Sequence, residues 1–287
     1  MGQNVIHFNT LQRGEWLSQI ASVCQQYDSN GRETNVVFSF GKNIAPDKMD
    51  PFHHVTLACL IQFLIDRNWV PYLSNENPDV QDHLFRDLRF QAYWSGGKNH
   101  VDTDADKNIF NLWRIKKNEM DAFAYRVIGY LKSIYSDRDL SPILLCLTES
   151  FYNIFDHAEA NDNAFVFIRY KEDKKMLYAA VADFGKGICN SVRGFSDIHL
   201  TDKQALRKAL EYNFTVKSTS RNKGFGLSNI IENSDTARIF SGNALFVKTE
   251  HNQKFYDIPF PFNGTLVYFE VDISKTETEE IIDNFNF

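Results

Sequence analysis

Two apolar runs separated by five charged residues constrain this chain most. Residues 164–170 read AFVFIRY, residues 176–183 read MLYAAVAD, and KEDKK lies between them. Each run has strand length and is rich in β-branched, aromatic or small apolar side chains, and so short a polar connection allows only antiparallel neighbours. The second run ends in Asp183, and Gly185 and Gly187 follow at once, so the chain leaves the sheet through a glycine-bearing loop.

The rest of the chain alternates strands and helices around this hairpin. On its N-terminal side, NVVFSF reads as a strand and HHVTLACLIQFLIDRN as a helix. WVPYLS reads as a strand whose proline suits a sheet edge. PDVQDHLFRDLRF reads as a helix, FQAYW as an extended segment, and residues 118–135 as a long helix. This rhythm predicts a small α/β domain over residues 1–138. The polar stretch GGKNHVDTDADKN predicts an exposed loop, and Ser141-Pro142 predicts a helix start, with a domain boundary beside it. Over residues 139–287 the reading is a helix over 142–157, the hairpin, a helix from TDKQALRKALEY with a threonine cap, and a short helix from LSNIIENS. A second hairpin turning at Ser241-Gly242-Asn243 and a closing strand, GTLVYFEVDI, complete it. The fold class expected is α/β, with a mixed, mostly antiparallel sheet carrying helices on one face.

Composition removes several classes of function. The 287 residues are 43% hydrophobic and 24% charged, enough to build a core without disulfides or metals. A formal net charge of −6 gives no whole-chain footprint for nucleic acid. Cys24, Cys59, Cys146 and Cys189 are dispersed without a CxxC pair, which argues against zinc and for a reducing compartment. No apolar stretch is long enough to span a membrane, and the first residues have no secretory apolar region, so a cytoplasmic protein is expected.

Three motifs carry chemistry. Glu149, Asn153 and His157 recur at every fourth position and share one stripe of a helix, with Leu145, Phe151 and Phe155 read on the other side. Asp183 at a strand end can accept hydrogen bonds from an exocyclic amine, and Gly185 and Gly187, followed by Ile188, allow close backbone approach. Gly224, Phe225, Gly226 and Leu227 lead into a helix whose free amides attract phosphate, with Lys217, Arg221 and Lys223 nearby. Taken singly, these patterns also describe a solvated helix face, a tight turn and a loop.

Their order is more specific. ExxxNxxxH, then DxGxGI, then GxGL, then Gly264-Thr265 before a last strand resembles the GHKL superfamily of ATPases, over residues 141–273. That superfamily includes gyrase-type topoisomerases, MutL-type repair proteins, heat-shock chaperones and histidine kinases. The resemblance implies a Bergerat-type α/β sandwich that binds ATP and Mg²⁺. It implies that Asn153 binds Mg²⁺, that Glu149 is the catalytic carboxylate, and that Asp183 recognises the adenine amino group. Gly185, Gly187 and Ile188 would flank the base, and Thr265 would reach it through water. Gly224, Phe225, Gly226 and Leu227 would form the lid, with Lys217 and Lys223 beside the phosphates. His157 matches a histidine found in anti-sigma-factor kinases. Ile154 departs from the alanine usual in the family, and Asn222-Lys223 replaces part of a richer glycine set.

The resemblance leaves the fate of the phosphate open. One expectation is a slow Mg-dependent ATPase whose lid state signals to the N-terminal domain or a protein partner. The other is a serine/threonine protein kinase of the anti-sigma type. Self-phosphorylation at His53 or His54 is not expected, because the surrounding residues lack the phospho-acceptor context. The short run after the last strand argues against a topoisomerase-like second domain. The N-terminal domain weakly resembles a STAS-type module, and homodimerisation is common in the superfamily.

Overall fold

The structure is a computed structural model and describes residues 4–90, 109–157, 164–196, 199–211 and 226–278. Among these residues the strands form two sheets. Strands β1 (Asn4–Phe8), β2 (Thr34–Phe40) and β3 (Trp69–Leu73) form a parallel sheet in that order. Helices α1 (Arg13–Gln26) and α2 (Pro51–Asp66) make the crossovers that parallel neighbours require. Pro71 sits in β3, an edge strand, where a missing amide hydrogen is tolerated. Helix α3 (Pro78–Asp82) follows, capped by the Asn77 side chain, which accepts from Val80 N at 3.1 Å.

The second sheet has strands β4 (Ile109–Ile115), β5 (Ala164–Lys171), β6 (Met176–Asp183), β7 (Thr236–Thr249) and β8 (Asn252–Asp272), in the order β4-β5-β6-β8-β7. Every pairing in it is antiparallel, so the mixed sheet expected from the sequence is corrected. The parallel pairs are confined to the N-terminal sheet. Strand β4 and helix α4 (Met120–Ile134) precede residue 139, yet β4 pairs with β5, and Ile115, Phe123, Val127 and Leu131 join the core under the second sheet. The pairing thus carries that sheet upstream of the boundary read from Ser141-Pro142.

Helices α5 (Ser141–His157), α6 (Gly187–Phe195), α7 (Asp202–Ala209) and α8 (Gly226–Glu232) lie with α4 on one face. The opposite face is covered too, by α2, which corrects the expectation of helices on one face only. The strands explain why. Val166, Ile168, Ala179, Val181, Ile239 and Val267 feed the core under α5, while Phe165, Phe167, Ala180, Phe240 and Tyr268 feed the core under α2. A strand apolar on both faces must be covered on both. Helix α2 meets that demand by being buried around nearly its whole circumference, from Pro51 to Leu64.

One turn falls elsewhere than expected. Ser241, Gly242 and Asn243 do not turn the chain; β7 runs through them with shifts of register, and the reversal comes at Glu250 and His251. Gly242 takes φ +57 here, and Asp202 packs where a Cβ would stand. Asp202 accepts from Asn243 N at 2.7 Å and pairs with Arg193, so this irregularity is held by a half-buried carboxylate.

Candidate nucleotide site

Pleat parity places the strand-end residues. Along β6, Leu177, Ala179 and Val181 face α5; along β8, Val267, Phe269 and Val271 do the same. Asp183 and Thr265 continue those two series, and they are register partners, with Ser241 opposite Thr265 on β7. Asp183 and Thr265 therefore lie on the α5 side at one end of the sheet.

Asp183 is fully buried, and so is Thr265. The Asp183 carboxylate accepts from Gly185 N at 2.6 Å and from Thr265 N at 3.2 Å. Burial pushes its pKa up to about 7, against the opposing pull of those two amides. The folded pKa is thus raised. The stability this contributes is complete below the ordinary carboxylate range and is lost as pH rises through about 7. Thr265 Oγ1 is buried without a hydrogen-bond partner. Arg169 Nε, Thr236 Oγ1 and Arg238 Nη1 share that condition among the described residues, but only Thr265 adjoins Asp183. An orphaned hydroxyl beside a buried carboxylate calls for a hydrogen-bond partner that the described residues do not supply.

The glycines here serve the backbone first. Gly187 has φ +75, and a Cβ on it would strike Gly264 O and Ser241 Oγ. Gly264 has φ +85, and its Cβ would strike the Asp183 carbonyl and Gly185 N. The loop after β6 is therefore pressed directly against the start of the Thr265 segment. Ile188 is buried in the core, and Cys189 N donates to Ser241 Oγ at 3.2 Å, fixing the first turn of α6.

The second cluster stands on α5. Asp139 accepts from Ser141 N at 2.9 Å and from Ser141 Oγ at 2.8 Å and fixes the start of the helix. Phe151 and Ile154 anchor it in the core, both fully buried. Asn153 is buried, and its Nδ2 donates to Glu149 O at 2.7 Å, leaving Oδ1 as the atom to meet a cation. Glu149 is half-buried, and its Oε1 accepts from Asn229 Nδ2 on α8 at 3.0 Å. Burial raises the Glu149 pKa, and the Asn229 bond works against that rise. Asn229 was missed from the sequence. Its signal was only a polar residue in the first turns of the helix after the glycines.

Gly226 opens α8, and Leu227 is buried in the same core as α5. His157 closes α5. Lys217, Lys223, Gly224 and Phe225 lie outside the described residues. Among the described residues, no three of His, Cys, Asp and Glu cluster so as to hold a metal ion. A cation here would be held by Asn153 Oδ1 together with oxygens of its own ligand, an arrangement Mg²⁺ accepts. His53 and His54 are buried; His53 Nδ1 accepts from Asp50 N at 2.9 Å, and His54 stacks on Phe167 at 4.3 Å, so both serve the packing of α2.

Comparison of the sequence with protein-family models and with curated proteins gave no match. The functional reading therefore rests on the site itself.

Proposed function

We propose that the five-stranded sheet with the helices on its α5 face forms a Bergerat-type domain of the GHKL kind that binds Mg-ATP, and that the protein is a slow ATPase used as a switch. The observation that carries this reading is the Asp183–Thr265 pair, a buried carboxylate beside an orphaned buried hydroxyl at one sheet end. The two backbone amides leave lone pairs on the carboxylate, and an adenine amine would donate to one of them. Thr265 Oγ1 would complete the base contact directly or through water.

On α5, Asn153 would hold Mg²⁺ and Glu149 would take the proton of the attacking water. The bond from Asn229 orients Glu149, and burial raises its pKa, the direction that favours a proton acceptor over a permanently ionised carboxylate. Bound Mg²⁺ would neutralise charge developing on the phosphates.

The route to the N-terminal unit starts at the same loop. Phe184 directly follows Asp183 and meets Phe63 of α2 edge-on at 6.2 Å and Phe262 at 5.5 Å. Movement of that loop would press on α2, which joins the two sheets. A protein partner would read the resulting state.

Equilibrium binding of a fluorescent ATP analogue tests the site: wild type should bind saturably with Mg²⁺, and Asp183→Asn should not. γ-Labelled ATP tests the use: free phosphate supports the ATPase, and label on a co-incubated protein would assign a kinase instead.

A further inference from the structure

Helix α8 carries Asn229, the residue that holds Glu149, yet it has only seven residues and no basic side chain in its own last turn. The last carbonyls of any helix lack partners within it, and so short a helix has little of its own to keep it in place. Lys248 of β7 supplies what is missing. Its Nζ donates to Ile231 O and to Ser234 O, at and just beyond the end of α8. We infer that Lys248 is a positioning residue: it clamps the end of α8 to the sheet so that Asn229 meets Glu149. Its effect on turnover rests on the nucleotide reading given above; its effect on Asn229 does not.

The strand sets the place of Lys248. Beyond the bulge at Gly242, Ala244 and Phe246 point into the core under α5, and Lys248 is the next residue of that series. A half-buried lysine on an apolar sheet face is costly, and burial lowers its pKa, with Asp235, Cys146 and Glu232 working against that fall. The two carbonyls answer the cost by taking two of the three donors of the ammonium. A cation at this end also meets the negative pole of the helix.

The clamp reaches Asn229 within one turn. Asn233 donates to Asn229 O from its backbone N at 3.0 Å and from its Nδ2 at 2.8 Å, and Ser234 Oγ donates to Ile230 O at 2.6 Å. Asp235 N donates to Glu270 O at 2.9 Å, and the Asp235 carboxylate accepts from Asp272 N at 2.6 Å, so β8 holds the chain that follows. These bonds gather at the C-terminal end of α8, and from there Asn229 Nδ2 reaches across to Glu149 Oε1 at 3.0 Å. Of the ties named, the one from Lys248 is made by a charged donor to two carbonyls at once, the strongest kind, so its loss should shift the helix most.

The test uses the full chain and two readouts. In the ligand-free protein, nuclear magnetic resonance follows hydrogen exchange of the Asn229 side-chain amide. Exchange should be about tenfold faster in Lys248→Met and within about twofold of wild type in Lys248→Arg, which keeps the charge and the donors. With Mg-ATP, Lys248→Met should lower kcat about tenfold and leave KM within about threefold, and Lys248→Arg should recover most of the loss. Asn229→Ala should lower kcat as much, and the double variant should stay within about twofold of Asn229→Ala, because both act through one bond. Lys248→Gln, uncharged and shorter, replaces Lys248→Met should the latter lose its circular-dichroism spectrum. Unchanged Asn229 exchange in the uncharged variant overturns the inference, and so does a loss of kcat that adds in full to that of Asn229→Ala. Absence of any ATP hydrolysis would refute the ATPase reading instead, and Asn229 exchange would then decide the clamp by itself.

Discussion

The two ends of the candidate nucleotide site are built on different principles. At the strand end, Asp183 and Thr265 are buried, paired by sheet register and tied by backbone amides. At the helix end, Glu149 is half-buried and held by one side-chain bond to α8, a helix that begins beside the glycine segment. The strand end can be rigid because the sheet fixes it, which suits recognition of an unchanging base. The helix end rests on that single bond, so a shift of α8 would break the Asn229–Glu149 contact. On the proposed reading, chemistry that changes along a reaction would belong there.

Three changes test that contrast. The largest expected effect falls on the helix end: Glu149→Gln should lower ATP turnover by about 100- to 1,000-fold and leave ATP affinity within about threefold, as loss of a general base does. Turnover at the wild-type rate would remove Glu149 from the chemistry. The next falls on the strand end and concerns stability. Gly264→Ala drives a Cβ into the Asp183 carbonyl at a positive φ, so it should destabilise by about 3 kcal/mol in denaturant melts. A melt within about 0.5 kcal/mol of wild type would show that this crossing of backbones is not rigid. The smallest effect is the most discriminating. Thr265→Val removes an unpartnered buried hydroxyl, so the ligand-free protein should gain about 1 kcal/mol while ATP binds about threefold more weakly. Lost stability would mean that the hydroxyl is satisfied in the free protein.

The helix end was legible in the sequence because α5 obeys a simple period: every fourth residue from Glu149 shares a stripe, and Phe151 falls opposite. The hairpin around KEDKK was equally legible, and Lys175 closes it in the left-handed region with φ +52. The partner of Asp183 was legible only through resemblance. Nothing local in GTLVYFEV says that Thr265 stands opposite Asp183; a register across 82 positions sets it. The bulge at Gly242 was misread as a turn because Ser-Gly-Asn is turn chemistry, and the carboxylate that makes it a bulge comes from Asp202 on another element. The covering of the sheet's second face by α2 had a signal that went unused. A helix apolar on all sides needs two partners, and HHVTLACLIQFL is such a helix.

The most direct test of the central claim is calorimetric binding of Mg-ATP to wild type and to Asp183→Asn at pH 8 and pH 6. On the proposed reading ATP would need the ionised carboxylate, and burial raises the pKa of the free group to about 7. Wild type should therefore bind about tenfold more weakly at pH 6 than at pH 8, with proton release on binding, and Asp183→Asn should bind at neither pH. Equal ATP affinity in the two proteins, unchanged between pH 6 and pH 8, would contradict the account.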